Sequence, residues 1–359
     1  MLIGFLIIIT IITVVVGYLQ LPVFGQNPSG ERLTRILNSP NYKNGKFENL
    51  TDTPTWTGDT SVIVGVYNFF FKKDKNVAPQ NPIPSIKTDL TQLPKDKDWL
   101  VWFGHSSYLL NIKGKSYLID PVFISATPMP FGGKPFKGAD IYLPNDMPFV
   151  DYLIITHDHY DHLDYDTIKA MKDNIGQVIT GLGNGAHFER WGFNPNQLIE
   201  LDWYENANIN DITITALPTR HSSGRALKTN QTLWASFMLQ SNGKTIYIGG
   251  DSGYEQHFKE IASKFPTIDL AILENGQYHK DWANIHLLPE HLIQAIKDLN
   301  AKKVLAVHNS KFMLSQHAWN EPMQLLSETA QKENIPLLTP KIGEVVYLDE
   351  NQSFEKWWE

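Results

Sequence analysis

The residues of this sequence best suited to chemistry are the histidines and aspartates of the segment 156–163, which reads THDHYDHL. The segment directly follows the apolar run YLIIT, which predicts that it lies at the end of a β-strand. Because strand side chains alternate between two faces, the chain must turn here for the side chains to converge. The candidates are His157, His159, Asp161 and His162. Imidazoles and carboxylates bind zinc and other borderline divalent ions, so the pattern predicts a metal site.

Three more candidate ligands follow, each at the carboxyl end of an apolar run. His221 follows ITITALPT, Asp251 ends TIYIGGD and His308 ends KVLAVH. Neighbouring strand ends share one rim of a sheet, where ligands commonly bind, so we expect these side chains to join the first cluster. The sequence contains no cysteine. Any metal must therefore be held by histidines and carboxylates, and disulfides and thiolate nucleophiles are excluded.

The H-x-H-x-D-H spacing at 157–162 resembles the signature of the metallo-β-lactamase superfamily. Further segments look like the N-acyl-phosphatidylethanolamine-hydrolysing phospholipase D family, whose bacterial relatives often carry an N-terminal hydrophobic segment: FGHSSYLL, LIDPVF, THDHYDHLD, IGGDSGY, IHLLPEHL and VHNSKFMLSQHAWNEP. The similarity extends over most of residues 99–345, and the stretch 21–50 also looks like the bacterial members. The resemblance implies an αββα four-layer sandwich and a hydrolase.

Carried over residue by residue, the resemblance also implies two divalent metal ions. Zn²⁺ is expected, with iron and manganese as alternatives. The implied ligands are His157, His159 and His221 for one ion, Asp161, His162 and His308 for the other, and Asp251 for both. Two cations ~3.5–4 Å apart need a shared carboxylate to offset their repulsion, which agrees with this division.

Four positions are expected to act beside the metals. Asp161 would orient the attacking hydroxide, and Asp120 in LIDPVF could accept a hydrogen bond from a ligand imidazole. His286 in IHLLPEHL matches a family histidine proposed for proton transfer or substrate binding. His105 in FGHSS is expected behind the ligands. For Asp120, His286 and His105, a purely structural polar role stays open.

The expected reaction is hydrolysis by a hydroxide shared between the metals, which requires no serine nucleophile. The leading substrate is a phosphodiester of an amphiphilic, phospholipid-type molecule. A lactone or amide, including a β-lactam, is the alternative hydrolase substrate. A non-catalytic metal-binding envelope protein is an alternative of another class. Oxidation at a di-iron centre is disfavoured, because the sequence has no glycine-rich loop that opens a helix and would cradle a flavin phosphate.

The elements that must position these residues begin near residue 95. From there, short runs rich in β-branched and aromatic residues alternate with turn signals, which predicts strands. Helical patterns lie at about 164–172, 254–264, 289–299 and 322–333. Two stretches of strands, each with helices, favour a layered sandwich over a doubly wound sheet. We therefore assign 95–359 to one hydrolase domain.

The first 94 residues have a different composition. Leu2–Leu19 reads LIGFLIIITIITVVVGYL without a charge, and at ~1.5 Å per residue it would nearly span the ~30 Å hydrocarbon layer. We therefore predict an uncleaved membrane anchor over 1–22, with a cleaved signal peptide as the alternative, and the catalytic domain outside the cytoplasm. Residues 23–94, rich in Pro and Asn, predict an extended arm packed on or leading to the core. The apolar run 62–73 within this arm indicates either a membrane-interface contact or an element packed on the body.

Composition limits the partners. The 359 residues are 42% hydrophobic, enough for a large core, and carry a net charge of -7. Without a broad basic surface, a nucleic acid is not expected as a partner. A small-molecule or lipid substrate and the membrane remain as expected partners, and the sequence does not indicate an oligomeric state.

Overall fold

The computed structural model describes residues 2–59, 61–72, 76–225 and 227–359. The helices in these ranges are α1 Leu2–Leu19, α2 Gly30–Leu37, α3 Val62–Phe71, α4 Tyr165–Met171, α5 Gly185–Arg190, α6 His257–Lys264, α7 Pro289–Leu299 and α8 Glu321–Glu333. The strands are β1 Tyr42–Lys43, β2 Lys46–Phe47, β3 Trp99–Trp102, β4 Tyr108–Ile112, β5 Lys115–Ile119, β6 Val150–Ile155, β7 Ile175–Gly181, β8 Leu198–Leu201, β9 Asn206–Ile209, β10 Ile212–Leu217, β11 Ser236–Ser241, β12 Lys244–Ile248, β13 Leu270–Glu274, β14 Val304–Val307, β15 Leu337–Leu338 and β16 Val345–Tyr347.

Two seven-stranded sheets form the body of the described chain. The first sheet has the order β16-β3-β4-β5-β6-β7-β8, and the second has the order β15-β14-β13-β12-β11-β10-β9. Strands β5 to β8 pair in parallel, as do strands β12 to β15, and the remaining pairs are antiparallel. This arrangement confirms a mixed α/β body with two large sheets and helices.

The first sheet is buried on both of its faces. Ile154 belongs to the same apolar cluster as Phe237 of the second sheet. Its neighbour Leu153 packs in a different cluster with Ile168 of α4 and Phe188 of α5. This division follows from the strand geometry, because successive side chains point to opposite faces. Burial contributes roughly 1.5–3 kcal/mol for each large apolar side chain, so both clusters hold the sheet in place.

The segment 23–94 is not simply extended, since it contains α2 and the hairpin β1–β2. Ile36 and Phe47 are fully buried in the cluster that includes both sheets. Arg32 pairs with Glu189 at 2.8 Å and with Glu200 at 2.6 Å. Helices as short as α2 are marginal on their own, so the buried Ile36 and these ion pairs stabilise it. The local sequence of α2 was therefore not enough to predict this helix.

Helix α1 has the predicted bounds, Leu2–Leu19. Many of its apolar side chains are exposed, for example 75% for Ile3 and 53% for Val16. Across the described residues, no helix combines the length and the apolarity needed to cross a membrane. The predicted membrane span is therefore not supported.

The apolar run predicted over 62–73 forms helix α3, and its last residue, Lys73, lies outside the described residues. Ile63 and Phe71 are 82% and 73% exposed, so these two side chains do not pack on the body.

Candidate metal centre

The loop between β6 and α4 carries the first four candidate ligands. After β6 ends, the backbone N–H groups of His162 and Leu163 both donate to the carbonyl of His159, at 3.1 and 2.8 Å. Asp164 then caps α4 by accepting a hydrogen bond from a backbone N–H group of its first turn. This turn breaks the strand alternation and lets the ligands face one cleft, as the spacing predicted.

The other candidates come from strand ends of the second sheet. His221 follows β10, Asp251 follows β12 and His308 directly follows β14. Strands β12, β13 and β14 are parallel, so their carboxyl ends meet at one edge. A Cβ atom on Gly250 would lie 2.8 Å from the carbonyl of Ala235, so glycine is needed for this close approach. The two sheets therefore meet at their strand ends around one cleft.

The first ligand group consists of His157, His159 and His221. Nδ1 of His159 lies 2.9 Å from Nε2 of His157 and 3.2 Å from Nε2 of His221. Donor atoms around one tetrahedral Zn²⁺ would be separated by about 3.3 Å, given Zn–N bonds of ~2.0–2.1 Å. Nδ1 of His221 donates to the carbonyl of Ile285 at 2.8 Å, which leaves Nε2 as the metal-binding nitrogen. The group therefore suits one divalent cation.

The second ligand group consists of Asp161, His162 and His308. Oδ2 of Asp161 lies 3.6 Å from Nε2 of His162 and 3.5 Å from Nε2 of His308. Oδ2 of Asp251 lies 3.2 Å from the first of these nitrogens and 3.1 Å from the second. The same oxygen is 3.8 Å from Nε2 of His221, in the first group. Asp251 thus lies between the two groups.

Several of these atoms have no hydrogen-bond partner. Among the described residues, Nε2 of His162, Nε2 of His308 and Oδ1 of Asp251 are buried and unbonded. Nδ1 of His308 donates to the carbonyl of Gly276 at 3.1 Å, so Nε2 is the free ligand atom. Buried polar atoms without partners are costly, and a cation would satisfy them. The residues therefore fit divalent cations, with one nitrogen-rich group and one group richer in carboxylates.

Charge differs between the two groups. Burial, followed by neighbouring imidazoles, lowers the pKa of His157 and His221 well below the usual histidine value. Burial also opposes charge on His162 and His308, but nearby carboxylates, Asp251 first, outweigh it. They raise the pKa of His162 well above its usual value and that of His308 to about 10. Without a bound cation, His162 and His308 are therefore protonated at neutral pH, whereas His157 and His221 are not.

Asp120 and His105 lie directly behind the second group. Oδ2 of Asp120 accepts a hydrogen bond from Nδ1 of His162 at 2.8 Å, and its Oδ1 accepts one from the backbone N–H of Thr156 at 2.9 Å. Asp120 is 1% exposed, so it supports a ligand rather than facing the cleft. Nε2 of His105 lies 3.1 Å from Oδ2 of Asp161. Both residues thus contact candidate ligands.

His286 lies beside both groups. Its ring centroid is 5.1 Å from that of His221 and 5.4 Å from that of His308. Its Nδ1 contacts Oε2 of Glu274 at 2.8 Å. The structure therefore brings together all ten predicted site residues, the seven ligand candidates with Asp120, His286 and His105.

The sequence reasoning missed Glu274, a 2% exposed carboxylate that can join a ligand cluster with Asp251, His286 and His308. A signal for it existed, since Glu274 is the last residue of the apolar run LAILE and follows the same strand-end rule as Asp251 and His308.

The sequence reasoning also missed a buried network around Asp158, the residue that separates His157 from His159 in the sequence. Asp158 contacts Nε2 of His187 at 3.1 Å, and its backbone carbonyl accepts a hydrogen bond from Arg225 at 2.8 Å. The same guanidinium donates to the carbonyl of Val23 at 2.8 Å. This network ties the segment after α1 to the ligand loop.

Comparison with known proteins gives the family. The sequence model described as the beta-lactamase superfamily domain matches residues 115–309. An uncharacterized protein of Mycobacterium tuberculosis is 33% identical over 325 residues, which cover 89% of this chain and 87% of that one. This chain belongs to the metallo-β-lactamase superfamily, in the class of metal-dependent hydrolases.

Other relatives are more informative by name. The N-acyl-phosphatidylethanolamine-hydrolyzing phospholipase D 1 of Caenorhabditis elegans is 28% identical, over 80% of this chain and 87% of its own. A Klebsiella pneumoniae protein called outer membrane protein RomA is 54% identical over 97 residues, 27% of this chain and 74% of its own. Among solved structures, the metallo hydrolase Igni18 of Ignicoccus hospitalis has a TM-score of 0.54 at 22% identity, over 70% of this chain and 97% of its own, and it shows the shared fold.

Proposed function

We propose that this chain is a hydrolase that requires two divalent metal ions and cleaves a phosphodiester of an amphiphilic, phospholipid-type substrate. The observation that carries the proposal is Asp251, whose Oδ2 lies within 3.8 Å of imidazole nitrogens from both ligand groups. A carboxylate in that position can serve two cations at once.

The ligand groups define the proposed roles. His157, His159 and His221 would hold one ion, Asp161, His162 and His308 the other, and Asp251 both. Zinc is proposed because one group consists of imidazoles, and iron or manganese is the alternative. When bound in such a site, a metal pair activates water near neutral pH and neutralises charge that develops on substrate oxygens.

The remaining residues would position the reactants. Asp161 contacts His105 through Oδ2 at 3.1 Å, which restrains the carboxylate that would orient the attacking water. His286 is 15% exposed at the side chain, so a substrate can reach its ring. We assign to Nε2 of His286 the contact with the substrate or its leaving group. Asp120 would act by holding His162 rather than by touching the substrate.

The substrate class is supported by the relatives and by apolar surface. The Caenorhabditis elegans relative is named for hydrolysis of an N-acylated phospholipid. Tyr18 of α1 donates to the carbonyl of Pro128 at 2.7 Å, and the adjoining loop exposes Phe131 at 70%. We propose that α1 and this loop contact lipid and that the catalytic domain lies outside the cytoplasm.

Metal analysis and an ester panel test the proposal. We expect two metals per chain and turnover of a water-soluble phosphodiester that stops on chelation and returns with Zn²⁺. Turnover of lactones or β-lactams with inert phosphodiesters would instead assign carbonyl chemistry. Two bound metals with no turnover on any ester would favour a non-catalytic binding protein, and a chain that binds no metal would refute the proposal.

The lipid contact has a separate test. Deleting residues 2–19 should leave kcat on the soluble phosphodiester within about twofold, because every ligand lies beyond residue 156. The same deletion should abolish flotation with phospholipid vesicles. A truncated chain that still floats would show that α1 is not required for the lipid contact.

A further inference from the structure

Glu274 is a buried carboxylate for which the proposed metal chemistry has no use. It ends β13 between two ligand-bearing strand ends and is 2% exposed. Oε1 accepts hydrogen bonds from the backbone N–H groups of Ser252 at 2.8 Å and Leu287 at 2.9 Å. Both lone pairs of Oε1 are therefore engaged, and only Oε2 is free to interact with a side chain.

Oε2 of Glu274 faces an imidazole. Nδ1 of His286 lies 2.8 Å away, whereas Nδ1 of His308 is 3.7 Å away and donates elsewhere, to Gly276. An anionic carboxylate oxygen accepts hydrogen bonds only, so Nδ1 of His286 must carry the hydrogen. A carboxylate that accepts from one ring nitrogen of a histidine sets the ring orientation and leaves the other nitrogen for chemistry.

We propose that Glu274 is the positioning residue for His286: it holds the ring at the edge of the metal cleft with hydrogen on Nδ1 and leaves Nε2 free for the substrate. The proposal rests on the proposed hydrolase function for its kinetic consequence. Its structural part, the tautomer of His286, does not depend on turnover.

Glu274 can also join a ligand cluster with Asp251, His286 and His308, so direct metal binding must be distinguished from positioning. The contacts favour positioning, because a metal at Oε2 would displace the 2.8 Å contact with Nδ1 of His286. The metal content of a variant distinguishes the two roles. Substitution of a metal ligand lowers the number of metals bound per chain, whereas substitution of a residue that only positions His286 does not.

The substitution Glu274→Gln isolates the contact. The glutamine oxygen can keep both backbone hydrogen bonds, while its NH₂ group faces Nδ1 of His286 and can only donate to it. The tautomer should therefore switch to hydrogen on Nε2. We expect two metals to be retained, KM to stay within about twofold and kcat to fall about 10–100-fold, the usual cost of losing an outer partner.

A matched control is Glu200→Gln. Oε1 of Glu200 also accepts two backbone hydrogen bonds, from Gly183 at 2.7 Å and Gly185 at 3.1 Å, and Oε2 binds Arg32, outside the cleft. This variant should keep kcat within about twofold. A large loss of kcat in Glu200→Gln would show that replacing a carboxylate that binds backbone N–H groups is enough to impair the chain, and would overturn the assignment of the Glu274→Gln effect to His286.

Two measurements on the zinc-loaded full chain decide the proposal. In ¹⁵N-histidine-labelled protein, long-range ¹H–¹⁵N spectra, assigned with His286→Ala, should show hydrogen on Nδ1 of His286 and its transfer to Nε2 in Glu274→Gln. In the His286→Ala background, Glu274→Gln should change kcat less than twofold.

Three results would each overturn the proposal: hydrogen on Nε2 of His286 in the unsubstituted chain, loss of metal in Glu274→Gln, or an equally large loss of kcat when Glu274→Gln is made in the His286→Ala background. If no ester is hydrolysed, the proposed function fails, but the spectra still decide the positioning role.

Discussion

Each ligand group contains two histidines that are equally buried, but the imidazoles of the two groups differ in charge. His157, His221, His162 and His308 are each 1% exposed. The pKa falls for the first two and rises for the last two. Desolvation is therefore similar, and the carboxylates around the second group account for the difference. Burial alone does not set the charge of a histidine ligand, and a cation entering the second group must displace protons.

The groups also differ in what supports them. His162 is held by Asp120, which directly follows β5, a neighbour of β6 in the first sheet. His221 is held from the N-terminal segment, where the side chain of Asn49 accepts from its backbone N–H at 3.0 Å and donates to its carbonyl at 2.8 Å. His162 is thus supported by a residue that follows a strand of the first sheet, whereas His221 is supported by the N-terminal segment.

The largest expected effect is for Asp251→Asn, which removes the carboxylate charge that lies between the two ligand groups. Repulsion between the cations would no longer be offset, so we expect fewer than two metals per chain and at least a ~10²-fold loss of kcat. Elemental analysis and kinetics measure this, with circular dichroism as a check of folding. Asp211→Asn, which alters only an exposed pair with Lys113, is the control. Wild-type metal content and turnover would exclude a bridging role.

Asp120→Asn and Asn49→Ala should affect different ions. Each substitution removes a hydrogen bond that supports one ligand. The affinity of the chain for the ion bound by that ligand should therefore fall, about 10–100-fold for Asp120→Asn and less for Asn49→Ala. Titration with Co²⁺ followed by visible absorption separates the two sites through their ligand sets. Asn44→Ala, in the turn between β1 and β2, is the control, since its side chain donates to Glu48 at 3.0 Å rather than to a candidate ligand. If both variants weakened the same ion, the division into two supports would be wrong.

Metal loading should release protons mainly from one group. At pH 7.5 the raised pKa values keep His162 and His308 protonated in the metal-free chain, whereas His157 and His221 are neutral. We expect about two protons per chain from these imidazoles, measured by calorimetry in buffers of different ionisation enthalpy. His308→Ala should release about one proton fewer. Equal release by both proteins would contradict the assigned charge states.

The smallest expected effect is on the stability of the metal-free chain. The pKa of His308 is raised to about 10, so its stabilising contribution is complete below the unfolded value of ~6.5 and is lost as pH rises towards 10. Because the buried Lys311, whose pKa is lowered to about 7, acts in the opposite direction, His308 is isolated by comparison with His308→Ala. The Tm of the metal-free unsubstituted chain relative to that of metal-free His308→Ala should fall by a few degrees over this range, at roughly 2–4 °C per kcal/mol. The metal-loaded chain should not show this decline. A Tm difference between the two metal-free proteins that does not shrink as pH rises would contradict the charge assigned to His308.

Part of the fold was predictable because its signals are local. The strand-end positions of the ligands and the two stretches of strands follow from short apolar runs. Helix α7 begins at Pro289 and ends at Leu299, as the pattern predicted. Strand order and the α2 helix were not predictable, since α2 depends on ion pairs with residues 157 and 168 positions away.

The sequence alone identified the seven candidate ligands, five histidines and two aspartates, because each is recognisable from its own residue type and from the apolar run before it. Only the tertiary structure decided the charge of each imidazole and the partner of His286. Glu274 is twelve residues from His286, and Arg225 reaches the Asp158 carbonyl from 67 residues away. Such contacts leave no local pattern, because they depend on how two sheets and a wrapping N-terminal segment bring distant residues into the same buried, poorly screened space.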